Sequence, residues 1–142
     1  MFFGKKKRTI VRLLVVEDEP LIAFDTEHLL TDRGYDVVAT VDRVAAAIAL
    51  LEEGVKIDLV LVDMHLADGS GIDVARTAHG SGVPVMFVTG NFSVEAEHFG
   101  VACLEKPYHQ RDLLSAIEVI EAKLSGRKIG KLPGGFRLLG QA

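Results

Sequence analysis

The stretch Val11-Arg12-Leu13-Leu14-Val15-Val16, followed by Glu17-Asp18-Glu19-Pro20, decides the fold. A short and mostly apolar run predicts a strand buried in a sheet. Pro20 suits the first position of a helix, where the missing N–H costs nothing. The chain therefore passes from strand to helix through three consecutive acids. The helix reads from Pro20 to Arg33 and closes at Gly34. Outward from this unit the pattern repeats. Val37 to Thr40 is a second strand, and Asp42 is placed to cap a helix with Val44, Ala47, Ile48 and Leu51 on one face, stopped by Gly54. Ile57 to Val62 is a third strand. The turn Ala67-Asp68-Gly69-Ser70-Gly71 leads into a short helix through Ala78. Val85 to Val88 is a fourth strand, Ser93 caps a short fourth helix, and Val101 to Leu104 is a fifth strand. The last helix, about Tyr108 to Leu124, carries Leu113, Ile117, Ile120 and Leu124 on one face.

Five strand–helix alternations with apolar strands predict an α/β fold: a doubly wound, five-stranded parallel sheet in the order 2-1-3-4-5. The 142 residues suit one domain. A single Cys103 excludes an intramolecular disulfide or a cysteine zinc cluster. No apolar run approaches ~18 residues, and Met1-Phe2-Phe3-Gly4 does not open a signal peptide, so a soluble cytoplasmic protein is expected, without a membrane partner. The net charge of −4 hides an asymmetry: residues 1–8 and 125–142 hold four basic residues each and no acid. The chain between carries eight basic against 20 acidic residues, which repels phosphate backbones and predicts no nucleic-acid partner. The expected division is a basic tail over 1–9, one domain over 10–125, and a basic, Gly-rich tail over 126–142.

In that strand order the carboxyl ends of the strands share a rim, where ligands of such sheets bind. Strand one delivers Glu17, Asp18 and Glu19 there, strand three Asp63, strand four Thr89 and Gly90, and strand five Lys106 and Pro107. Two carboxylates about 4 Å apart repel by ~4 kcal/mol at an effective dielectric of about 20. Either a proton or a cation must intervene. Carboxylate oxygens favour a hard ion, with Mg²⁺ the expected choice, and Mg²⁺ completes its shell with water and phosphate oxygens. Lys106 adds fixed positive charge and Thr89 a hydroxyl, so the rim has the parts for phosphoryl transfer.

Leu14-Val15-Val16-Glu17-Asp18-Glu19, Leu61-Val62-Asp63-Met64, Val88-Thr89-Gly90 and Glu105-Lys106-Pro107 resemble the receiver domain of two-component response regulators, over about residues 11 to 124. The resemblance implies a flavodoxin-like receiver fold with Asp63 as phosphoacceptor. It makes Glu17 and Asp18, with Asp63 and the main-chain carbonyl of His65, the ligands of Mg²⁺. Thr89 and Lys106 would contact the acyl phosphate. The implied reaction is in-line attack by Asp63 on a phosphohistidine of a sensor histidine kinase or a histidine phosphotransfer protein, followed by slow loss of the phosphoryl group to water. The positions of His65 and Asn91 line the path of that water, and Gly90 leaves the phosphoryl group open to a donor. Pro84-Val85-Met86-Phe87-Val88-Thr89-Gly90 is further similar to the FAT GUY receivers, mostly stand-alone regulators of alphaproteobacteria, with Val88 in place of the signature alanine. Two positions depart from the general pattern. Glu17 replaces the commoner Asp, and Cys103 stands where an aromatic residue usually rotates inward on activation. Coupling then passes mainly through Thr89 and the Gly90-Asn91 backbone.

The remaining conspicuous residues have plain readings. His28, His79, His98 and His109 form no zinc pattern and read as surface residues; His65 differs only in lying beside the site. Cys103 reads as a small buried apolar residue. Gly69-Ser70-Gly71 is a turn and not a dinucleotide fingerprint. An aspartate-nucleophile phosphatase needs a second Asp two residues after the first, where His65 stands. The expected function is thus a single-domain response regulator, since only about 18 residues follow the last helix. It would signal by binding partner proteins or act as a phosphate sink or shuttle in a phosphorelay. The alternative is a phosphorylation-independent interaction module.

Overall fold

A computed structural model describes residues 8–140. The elements run β1 (Arg12–Val16), α1 (Pro20–Asp32), β2 (Asp36–Val41), α2 (Val44–Glu52), β3 (Leu59–Val62), β4 (His65–Leu66), β5 (Gly69–Ser70) and α3 (Gly71–Gly80). They continue with β6 (Val85–Thr89), a 3-10 helix (Val94–His98), β7 (Ala102–Glu105), α4 (Gln110–Leu124) and β8 (Phe136–Leu138). The main sheet is ordered β2-β1-β3-β6-β7-β8, while β4 and β5 form a separate two-stranded ribbon. The five strands expected from the sequence are parallel in the expected order, with Val16 beside Val62 and Val62 beside Phe87. Among the described residues no helix is long and apolar enough to cross a membrane.

Because strand side chains alternate, each strand feeds two cores. Leu14, Val16, Val60, Val62, Val85 and Phe87 bury under α2 and α3 with Val44, Ala47, Val74 and Ala78. Leu13, Val15, Leu59, Leu61, Met86 and Val88 bury on the opposite face with Leu29 and Leu30 of α1 and Leu113, Ile117 and Ile120 of α4. Burial of both faces explains why Leu13–Val16 of β1, all of β3 and Val85–Val88 of β6 are continuous apolar runs.

Four local expectations are corrected. The cap of α2 is not Asp42: the Asp68 carboxylate, from the β4–β5 turn, accepts the Val44 amide at 2.6 Å and the Ala45 amide at 3.1 Å. The fourth helix is a five-residue 3-10 turn, capped by Ser93 as expected. It buries only Ala96, too little apolar surface to sustain a longer α-helical ladder. The segment 126–142, expected as a tail, contributes β8, antiparallel to β7, with Phe136 and Leu139 buried. At the other end Arg8 and Thr9 are docked: Arg8 lies 4.1 Å over the Tyr35 ring, and the Thr9 amide donates to the Glu121 carboxylate. Glu121 also accepts the Ile10 amide at 2.9 Å, which ties the entrance of β1 to α4. The rest of the expected N-terminal tail, residues 1–7, and residues 141 and 142 lie outside the described residues.

Asp68 makes the fold pH-sensitive in one direction. The Ala45 and Val44 amides hold its carboxyl below the ordinary 3.8. A lowered acid contributes stability above its unfolded value and loses it as the pH falls through the folded one. Asp68→Asn should therefore lower Tm at neutral pH, and the gap to wild type should close on acidification below 3.8. A gap unchanged at low pH would contradict the cap.

Candidate functional site

The end of each central strand sets one side chain at the rim. Glu17 follows β1 and Asp63 follows β3; both are buried, at 6% and 7% exposure. Thr89 ends β6 and is also buried, and Lys106 follows β7. The Lys106 ammonium pairs with Glu17 Oε1 at 2.8 Å, Asp63 Oδ2 at 2.9 Å and Glu19 Oε2 at 3.0 Å. One ammonium thus serves three carboxylates. Burial works against its charge, but the hydrogen bonds to Glu17, Asp63 and Glu19 win and push its pKa well above the ordinary 10.5. Burial holds the Glu17 carboxyl above the ordinary 4.5 despite the Lys106 hydrogen bond.

Carboxylate oxygens of Glu17, Asp18 and Asp63 lie within 4.8 Å of one another. This donor set is all hard oxygen and still carries excess negative charge after Lys106 is counted, so it fits a small divalent cation. Among the described residues it is also the one such acidic or imidazole group, and no histidine belongs to it. All five histidines are exposed.

Two backbone contacts shape the site. The His65 amide donates to Asp63 Oδ1 at 3.3 Å, and the Asn91 amide donates to Thr89 Oγ1 at 3.2 Å. Gly90 and Asn91 are exposed, while Cys103 is buried, its thiol pushed up by burial. The sequence reading placed these residues and brought Glu19 to the rim, but it missed three contacts. Glu19 is a direct partner of Lys106. Tyr108 shares a hydrogen bond with Thr26 at 3.3 Å beside Lys106. Gly71 is the third: its amide donates to the Met64 carbonyl at 2.8 Å, and a Cβ there would lie 2.0 Å from the Asp63 carbonyl oxygen. Only glycine fits so close to the strand that carries Asp63. Gly71→Ala should cost about 3 kcal/mol through forced displacement of residues 63 and 64. A thermal melt equal to wild type would contradict it.

The family described as the response regulator receiver domain matches residues 13–118, and the chain belongs to it. Members are phosphoacceptor switches rather than classical enzymes. The chain is 29% identical over 129 residues to the cell cycle transcriptional regulator CtrA of Caulobacter vibrioides, covering 82% of this chain and 52% of that protein. It therefore spans about half the length of that relative. The phyllosphere-induced regulator PhyR of Methylorubrum extorquens is 38% identical over 79 residues, 54% of this chain and 30% of that protein. The crystal structure of a CheY-like response regulator receiver domain protein from Methanospirillum hungatei superposes with a TM-score of 0.74 at 28% identity, covering 83% of this chain and 98% of that one.

Proposed function

We propose that the chain is a phosphoacceptor switch charged at Asp63 by a sensor histidine kinase or a histidine phosphotransfer protein. The observation that carries this reading is the buried Asp63 carboxylate 2.9 Å from the Lys106 ammonium, on a rim that also holds Glu17, Asp18 and Thr89. Asp63 attacks the phosphorus of the phosphohistidine. The new bond is carboxylate oxygen to phosphorus; the bond that breaks is phosphorus to imidazole nitrogen, and the imidazole leaves with its electron pair. Lys106 faces the charge that gathers on the phosphoryl oxygens, and the Thr89 hydroxyl donates to one of them. A Mg²⁺ ion held by Glu17, Asp18, Asp63 and the main-chain carbonyl of His65 would supply further charge neutralisation there. The family resemblance and the acidic donor set support that choice. The donor approaches past α1, which exposes Leu21 and Phe24 and whose Thr26 lines a cavity with Glu19, Lys106 and Tyr108.

Output through a partner protein, or a place as phosphate sink or shuttle in a phosphorelay, follows from a switch of this kind in the cytoplasm. The switch then comprises residues 10–125 together with β8, which pairs with its edge. Incubation with Mg²⁺ and acetyl phosphate tests the reading by intact mass: one added phosphoryl group per chain supports it, and an unchanged mass contradicts it. Adduct lifetime should depend on His65 and Asn91, both exposed beside Asp63 and Thr89. Asn91 orients the attacking water, and His65 shields the phosphoryl group or assists that water. Replacing both with Ala should change the hydrolysis rate severalfold, followed by decay of the adduct mass; an identical rate removes them from the path.

A further inference from the structure

β8 and Thr89 border the same cleft. The strand lies antiparallel on the outer edge of β7, with Phe136 beside Leu104, Arg137 beside Cys103 and Leu138 beside Ala102. Two backbone hydrogen bonds close its ends, Glu105 amide to Gly135 carbonyl at 2.9 Å and Leu139 amide to Val101 carbonyl at 3.0 Å. Phe136 buries in the core under α1 and α4, and Leu139 in the core under α2 and α3. Arg137 stays exposed, beside the Cys103 thiol, and lays its guanidinium 4.9 Å from the centre of the Phe92 ring. Phe92 in turn meets the Phe87 ring edge-on at 6.0 Å.

Phe92 belongs to the loop that leaves Thr89. Between that loop and β8 lies a cleft of about 370 Å³ bordered by Thr89, Gly90, Phe92, Cys103, Glu105 and Arg137. An aromatic residue at position 103 would fill this space; the small Cys103 leaves it open. The Thr89 hydroxyl is meanwhile engaged as the acceptor of the Asn91 amide.

We propose that β8 is the output element of this switch, clasped at rest by the Arg137–Phe92 contact and released when Thr89 is drawn toward a phosphoryl group on Asp63. The inference rests on the phosphoacceptor reading above. A Thr89 hydroxyl that turns to the phosphoryl oxygen withdraws from the Asn91 amide, which frees the loop carrying Phe92. The cleft is a place for the ring to enter. Once the ring turns in, Arg137 loses its partner. β8 is then a three-residue edge strand fed by a segment containing Gly130, Pro133, Gly134 and Gly135, held only by its ladder to β7 and the burial of Phe136 and Leu139. Its departure bares the β7 edge, whose unpaired backbone groups are a template for another strand. Phe92 on the loop thus takes the role that an aromatic at position 103 would otherwise have.

Amide hydrogen exchange on the full chain tests this, with and without Mg²⁺ and acetyl phosphate, and with adduct formation read in parallel by intact mass. Exchange in residues 101–105 and 136–140 should rise about fivefold or more in the phosphorylated protein, with β1 and β3 unchanged. Arg137→Ala should raise exchange in the same two segments without any phosphoryl donor. By reciprocity it should also increase the fraction of chain phosphorylated at equilibrium with the donor. An adduct with unchanged exchange in both segments would overturn the release while leaving the phosphoacceptor reading intact. Unchanged resting exchange in Arg137→Ala would overturn the clasp, and no adduct at all would overturn both readings.

Discussion

Asp63→Asn is expected to abolish the phosphoryl adduct formed with acetyl phosphate and Mg²⁺, with the fold retained. The amide keeps the shape of the side chain but has no carboxylate to attack phosphorus. The loss should be complete because this reading gives Glu17 and Asp18 to the cation and leaves Asp63 as the nucleophile. Glu17 and Glu19 are paired to Lys106, and Glu17 also accepts the Glu19 amide at 3.1 Å. Stability should change little, by about 1 kcal/mol, since Lys106 keeps two carboxylate partners. Intact mass and a thermal melt on the same sample check both parts. A mutant that still gains one phosphoryl group would refute the assignment of Asp63.

Lys106→Met should produce the largest loss of stability at the rim. It removes the one ammonium from among Glu17, Asp63 and Glu19, two of them buried. Breaking a buried ion pair on one side costs several kcal/mol; here about 2–3 kcal/mol is expected, because the Glu19 side is open to solvent. The pH dependence has a definite sign. Lys106 titrates above its ordinary 10.5, so its contribution is complete below that value and fades only as the pH rises through the folded one. The gap to wild type should be constant through neutrality and shrink in strong alkali. On the acid side, Glu17, already raised by burial, loses the lowering contact of Lys106 in the mutant, so there it takes up a proton earlier than in wild type, which relieves the repulsion and narrows the gap. Millimolar Mg²⁺ should restore part of the lost stability by binding the folded state. Denaturant melts across pH measure all three, and a mutant as stable as wild type without Mg²⁺ would contradict the electrostatic account.

The parallel sheet and its rim were legible because the signals are local and dense. A buried strand such as Leu13–Val16 or Leu59–Val62 is an uninterrupted apolar run, and the polar residue that follows marks its exit to the rim. Glu17, Asp63, Thr89 and Lys106 all lie at such exits, and the structure brings them together. What escaped the sequence depends on partners distant along the chain. Phe136-Arg137-Leu138 is too short for a period and sits among glycines and cations, so it reads as a tail until β7 is present to pair it. Asp68 caps α2 across 24 residues, whereas Asp42 sits in the ordinary local position. Gly71 reads as a turn residue; its necessity comes from the Asp63 carbonyl packed against it.

The location of the phosphoryl group tests the central claim most directly. Borohydride reduces an aspartyl phosphate to homoserine, which survives proteolysis and is read by peptide mass spectrometry. After reaction with acetyl phosphate and Mg²⁺, homoserine should appear at position 63 and nowhere else. Homoserine at another acidic position, or none in a chain that has gained a phosphoryl group, would contradict the account.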